Sequence, residues 1–191
     1  KYKPWGIILF SRNIKNFFKI KKLTKEIRKI FNDRKYPIMI DQEGGKVNRL
    51  KKFINTHSLT SEYFGNLYKK DKREFKIKYN IFIKKISNIL NDIGININTV
   101  PVLDLRNKNS SLIIGNRSFS SNPKIVSKLG DYCINIFSKK KIGTVIKHIP
   151  GHGLAKVDSH KLTPTVYSKS KFLFKNDFSC FKKKKSFFSM T

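Results

Sequence analysis

Three histidines, two lysines, an aspartate and two glycines crowd the fourteen residues from Lys147 to His160 (KHIPGHGLAKVDSH), directly after the apolar run Ile142 to Ile146. An imidazole, with an ordinary pKa of about 6.5, gives and takes protons near neutral pH. Its presence at a strand exit points to acid–base chemistry, because loops that leave the carboxyl ends of parallel strands converge on one face. Asp158-Ser159-His160 does not make a hydrolytic triad, since adjacent loop residues cannot set the Ser159 hydroxyl on the very next imidazole while Asp158 holds its other nitrogen. A dyad is easier to build. Asp158 would hold one ring nitrogen of His160 and leave the other to exchange a proton with substrate.

Other apolar runs end in the same way. Ser11-Arg12-Asn13 follows Phe10, and Asp41 through Arg49 (DQEGGKVNR) follows Ile40. Asp104, and then Gly115 to Phe119 (GNRSF), follow the run from 95 to 105. Each has a plainer reading. Gly44-Gly45 can be a simple turn and Asp41 a helix N-cap; Arg49 and Arg117 can be surface residues, and His148 and His152 satisfied loop histidines. His57 has no partner motif and reads as a bystander. Zinc is the weaker reading of the histidines, because Pro150-Gly151 keeps His148 and His152 from sharing a helix face. No metal and no cofactor are expected.

These groups need elements to hold them, and the chain supplies short apolar runs alternating with segments of helical period, the pattern of repeated βα units. Strands are expected near 5–10, 37–40, 95–105 and 142–146, with another beginning near 186–190, all parallel, and with Asp41, Arg49, Arg117, Lys147 and His160 at their carboxyl-end face. Ile20, Leu23, Ile27 and Ile30 mark one helix. Phe82, Ile86, Ile89, Leu90 and Ile93 mark another that Gly94 ends. Pro123 opens a third, with Ile125, Leu129, Cys133 and Ile136 buried. From Leu50 to Tyr79 the chain is polar and dotted with aromatics, read as a loop followed by a helix. Asp177 is expected within a helix. There is no internal repeat and no linker, so 1–191 reads as a single domain.

Composition bounds the function. The net charge of +30 would suggest nucleic acid or an anionic membrane. Only seven of the 42 basic residues are Arg, however, and the lysines spread over helices and loops instead of forming a stripe. No specific nucleic-acid partner and no membrane partner are expected. DNA affinity should be sequence-blind and lost in moderate salt. Cys133 and Cys180 have no CxxC spacing, which argues against a disulfide framework. No apolar run approaches the roughly 18 residues that span a bilayer, and no signal peptide opens the chain, so a cytoplasmic setting is expected.

The runs IMIDQEGGKVNRL (38–50), PVLDL (101–105), IIGNRSFSSNP (113–123) and KHIPGHGLAKVDSH, with GIILFSRNI (6–14), resemble the bacterial β-N-acetylhexosaminidases of glycoside hydrolase family 3 in the same order along nearly the whole chain. The resemblance implies a (β/α)8 TIM-type barrel, of which this chain holds roughly the first five strands. It also implies removal of terminal β-N-acetylglucosamine from small-molecule muropeptides during peptidoglycan recycling, by a retaining mechanism, without cofactor, in a protein expected to be a monomer. It places Asp41, Arg49, Arg117, Lys147 and His148 on the sugar, and makes His160, oriented by Asp158, the acid/base. This departs from the usual pair of carboxylates.

The family's nucleophile is an aspartate of an S-D motif after a later strand, and residues 1–191 contain no such motif. The domain is therefore expected to be cut at both ends and, alone, not to turn over substrate. The alternatives are a degenerate, non-catalytic remnant of the enzyme and a basic nucleic-acid-binding protein.

Overall fold

A computed structural model describes residues 2–107, 113–157 and 162–191. Strand β1 (Ile7–Leu9) is followed by helix α1 (Phe17–Ile30) and strand β2 (Ile38–Ile40). Two helices come next, α2 (Ser61–Lys70) and α3 (Lys72–Asp92), then β3 (Ile97–Asn98), α4 (Pro123–Lys139), β4 (Gly143–Lys147), α5 (Ser170–Lys175) and β5 (Phe188–Met190). The sheet order is β1-β2-β3-β4-β5 with every pairing parallel. A doubly wound sheet reverses direction at a switch point; unbroken sequential order is that of a (β/α) barrel. The sheet is curled. Trp5, just before β1, meets Phe188 of β5 edge-on with ring centroids 4.9 Å apart, although three strands lie between them. The architecture is therefore the α/β half-barrel that the sequence implied.

Local chemistry accounts for the helices. Asn16, Thr60, Asp71 and Asn122 cap α1, α2, α3 and α4, each accepting backbone N–H groups of the first turn. Pro123 takes the opening position of α4, where its missing N–H costs nothing. The stretch from Leu50 to Tyr79 is a loop as far as Thr60, as expected, followed by α2 and the first two turns of α3, two helices where one was expected. Its aromatics form a packed cluster in which Phe64, Phe75, Tyr79 and Phe82 meet with centroids 4.7 to 6.2 Å apart. Gly65 on α2 lets that helix lie against the 118–120 segment, since a Cβ there would fall 1.7 Å from the Phe119 carbonyl oxygen.

One expectation needs correction. Asp177 is not inside a helix: α5 ends at Lys175, and Asp177 precedes a short 3-10 turn at Phe178–Phe181. It is buried, 3% exposed. Cys180, in the same lysine-rich segment, is fully buried, with its thiol toward the Pro123 carbonyl of α4. Lys184 tethers the same segment to α4 through Ser127 and Asp131. Among the described residues, no helix is long and apolar enough to cross a membrane.

The third strand is also shorter than its apolar run. Ile97 and Asn98 pair with Gly143 and Thr144, and pairing resumes where Val102 bridges Lys147, with Leu103 N–H donating to the Lys147 carbonyl. The 98–102 side holds one residue more than the 144–147 side, which is a bulge, a device frequent beside functional sites. Beyond it Leu103 and Leu105 enter the core, while Asp104 between them stands next to the exit of β4.

Candidate active site

Four parallel strands in sequential order bring their carboxyl ends to one side, and the side chains there form one connected network. Lys147, the last residue of β4, is only 1% exposed. Its ammonium group donates to Asp41 Oδ1, to Glu43 Oε1 at 2.6 Å and to Thr99 Oγ1 at 3.2 Å, so all three of its hydrogens have acceptors within the chain. Asp41, one residue past β2, also accepts from the Thr99 hydroxyl (2.6 Å) and, through Oδ2, from Arg49 Nη2 (3.0 Å). Glu43 takes the fork of Arg117, Nε on Oε2 at 2.8 Å and Nη2 on Oε1 at 2.7 Å, the two-point geometry that only a guanidinium offers. Arg117 Nη2 lies 3.4 Å from His148 Nε2, and His148 Nδ1 lies 2.6 Å from Asp104 Oδ2. Cation and carboxylate alternate from Arg49 to Arg117, and His148 links Arg117 to Asp104.

Local sequence shapes the loop that carries Asp41 and Glu43. The Gln42 side-chain oxygen accepts the backbone N–H groups of Arg49 and Leu50, and Asn98 clamps the Gln42 backbone through both its amide atoms. The chain reverses at Gly44-Gly45, as a plain turn would. At Gly44 φ is +102° and a Cβ would lie 2.4 Å from the Leu59 carbonyl oxygen, so only glycine fits. Asp41 is not an N-cap; its carboxylate is committed to Lys147, Thr99 and Arg49.

Electrostatics follow from that commitment. Burial alone would raise the Asp41 carboxyl. The charge and hydrogen bond of Lys147, the Thr99 hydroxyl and the charge of Arg49 outweigh it and bring the pKa down to about 2. Burial likewise disfavours the charged Arg117, but the hydrogen bonds and charge of Glu43 more than offset it and raise its pKa above the ordinary value. A carboxyl whose pKa is depressed by folding stabilises the fold above its unfolded value and loses that contribution as pH falls through the folded value. For Asp41 the window runs from about pH 4 down to about pH 2, and the contribution is of order 2 kcal/mol. Urea unfolding of wild type and Asp41→Asn across that range should show the wild type losing its advantage toward pH 2. A pH-independent difference would contradict the assignment.

Of the seven site residues expected from sequence, Asp41, Arg49, Arg117, Lys147 and His148 come together. Asp158 and His160 lie outside the described residues. His57 is exposed in a turn, its N–H bonded to Asn55. Glu43, Thr99 and Asp104 are the members that sequence reasoning did not assign. Glu43 and Asp104 could have been suspected as carboxylates at strand exits, whereas nothing in the sequence marks Thr99. Next to Arg117 and His148 opens a cavity of about 550 Å³ with largely apolar walls, among them Ile114, Leu154, Val166 and Phe178. Asp177 lines it too, its carboxyl pushed up by burial. Among the described residues no group of three or more His, Cys, Asp or Glu side chains could hold a metal ion. The site's resources are thus hydrogen-bond donors and acceptors held rigidly in a low-dielectric setting, suited to gripping hydroxyl groups and stabilising charge.

Residues 1–184 match the family model described as the glycosyl hydrolase family 3 N-terminal domain. The chain is 34% identical over 170 residues to a beta-hexosaminidase A of Pseudoalteromonas piscicida, covering 87% of this chain and 28% of that protein. It is 35% identical over 162 residues to a beta-hexosaminidase of Neisseria gonorrhoeae, covering 83% of this chain and 44% of the relative. The chain thus spans less than half the length of these curated relatives. Among solved structures it is similar to NagZ from Neisseria gonorrhoeae in complex with N-trifluoroacetyl-D-glucosamine, with a TM-score of 0.87 and 30% identity, covering 97% of this chain and 54% of that one.

Proposed function

Since the chain belongs to glycosyl hydrolase family 3, we propose that it forms the front of a β-N-acetylhexosaminidase barrel that removes terminal β-N-acetylglucosamine from muropeptides, in the cytoplasm, as part of peptidoglycan recycling. The observation that carries this reading is the convergence of Asp41, Arg49, Arg117, Lys147 and His148 in one ion network at the strand exits. Arg49, Asp41 and Arg117 keep part of their surface open and offer charged hydrogen-bonding groups to sugar hydroxyls, where such bonds are strongest. Lys147, buried with all its donors engaged, serves the sugar by fixing Asp41 and Glu43. A solved relative holding an N-acylated glucosamine supports an amino sugar as ligand.

The chemistry is retaining hydrolysis. A carboxylate attacks the anomeric carbon while a second group protonates the departing glycosidic oxygen, and the same group then activates water. His160, oriented by Asp158, takes the second role. A neutral imidazole there avoids the like-charge repulsion that a second carboxylate would have with the nucleophile. The S-D aspartate that would attack is not among residues 1–191, so the test is made on an enzyme that carries this chain together with that motif. It should release the chromophore from a nitrophenyl N-acetyl-β-D-glucosaminide with retention at the anomeric carbon, and act at least ~10²-fold less on the matching β-glucoside. Equal rates on both, or inversion, would remove the reading.

A further inference from the structure

The described residues bring another aspartate and histidine together at the strand exits, Asp104 and His148, and the Asp104 carboxylate has no role in the reading above. We infer that Asp104 is a positioning residue that locks His148 in the tautomer with its hydrogen on Nδ1, so that Nε2 faces the site as an acceptor. Asp104 is fully buried, and its Oδ2 lies 2.6 Å from His148 Nδ1 and also accepts the His148 backbone N–H at 3.2 Å. Its Oδ1 accepts the His152 backbone N–H at 2.6 Å, so one carboxylate ties down both ends of the His148–His152 turn. A carboxylate can only accept; the ring nitrogen facing it carries the hydrogen.

The opposite side of the ring gives the same answer. Nε2 lies 3.4 Å from Arg117 Nη2, and a guanidinium can only donate. Arg117 cannot turn away, because its fork is held by Glu43 and Nη1 reaches the Ile113 carbonyl. Two neighbours of opposite kind thus specify one tautomer. The backbone supports it: Val102 bridges Lys147 and Leu103 N–H donates to the Lys147 carbonyl at 2.7 Å, which brings Asp104, two residues past the bridge, beside His148 at the exit of β4. The Asp104 carbonyl is itself held by the Ser118 hydroxyl at 2.6 Å. On the proposed function, on which this role rests, a sugar hydroxyl entering beside Arg117 takes over the single Nε2 lone pair that the long 3.4 Å contact from Arg117 occupies in its absence. A tumbling or reversed imidazole would instead offer that hydroxyl a competing donor.

Side-chain ¹⁵N NMR of the histidines, at neutral pH and without substrate, reads the tautomer directly. His148 should show a protonated Nδ1 and an unprotonated Nε2, and Asp104→Asn should shift both resonances toward a mixture. A wild-type His148 protonated on Nε2 overturns the inference whether or not the enzyme reading stands. Correct tautomers with no turnover would instead count against the enzyme reading alone. In an active enzyme that contains this chain, Asp104→Asn should lower kcat/KM for the N-acetylglucosaminide by ~10- to 100-fold, the usual scale for a group acting through a ligand-contacting one. The same change on a His148→Ala background should add less than about 2-fold. An undiminished loss on that background would show that Asp104 does not act through His148. Should Asp104→Asn fail to fold, the wild-type spectrum still decides.

Discussion

Replacing His160 by Ala in an enzyme that carries this chain and a downstream nucleophile should slow turnover by ~10² to 10⁴, the range for losing a general acid–base group. The size depends on the leaving group. A sugar alcohol leaves poorly without a proton, whereas a nitrophenolate leaves well, so the loss should be greatest on oligosaccharide substrates and least in the first, glycosylating step on nitrophenyl substrates. The second step still needs water activated by the same imidazole, so a covalent intermediate should build up and appear as a burst of nitrophenol followed by slow turnover. Replacing Asp158 by Asn should reproduce the pattern in milder form, because the ring would remain but lose its orientation. An unchanged rate in His160→Ala, with no burst, would mean that proton transfer belongs to another group.

Lys147→Met should be the most destabilising single change at the strand exits, costing about 3–5 kcal/mol in urea unfolding at neutral pH, the range for removing one partner of a buried pair. The ammonium lies between Asp41 and Glu43 with 1% of the side chain exposed. Methionine fills the space but leaves two carboxylates facing each other across an apolar side chain. Arg49 and Arg117 remain to compensate in part, one on each carboxylate. Out of the roughly 5–15 kcal/mol that holds a domain together, such a loss is severe. Adding Asp41→Asn removes one of the stranded charges, so the double variant should be less unstable than the sum of the singles. A loss below about 1 kcal/mol would mean that the charges are better solvated than their burial indicates.

Much of this was legible in the sequence, for identifiable reasons. The parallel order was readable because β1, β2 and β4 are short apolar runs separated by helices marked by apolar residues at helical spacing, by Gly94 past one end and by Pro123 at one start. The meeting of Asp41, Arg49, Arg117 and Lys147 was readable because strand exits in such a fold share a face, whereas His148 joined them through the family resemblance. The helical stretch at 61–79 was hard to read, since its buried face is made of Phe and Tyr, residues that favour strands by propensity and act here through tertiary packing. Asp177 was misplaced because the packing of a lysine-rich tail involves long-range contacts without local trace, such as Lys184 reaching Asp131 of α4. Thr99 was invisible for a similar reason: a lone threonine after a strand looks the same whether it faces solvent or a lysine.

The bulge between β3 and β4 decides which of three neighbouring side chains meets His148. Along a strand the faces alternate, so the count of residues upstream fixes odd and even. With one extra residue between Asn98 and Val102, the even position is Asp104 and the odd ones are Leu103 and Leu105. Removing one residue from that stretch would leave four residues facing four, so the Asn98–Thr144 and Val102–Lys147 pairings would follow one another as an ordinary ladder and the bulge beside Thr99 would be gone. Removing two would leave the stretch one residue short of its partner, and one of the two pairings would have to break. Frame length here is thus a form of specificity: in homologous chains, the 98–102 stretch should shorten by no more than the one bulged residue.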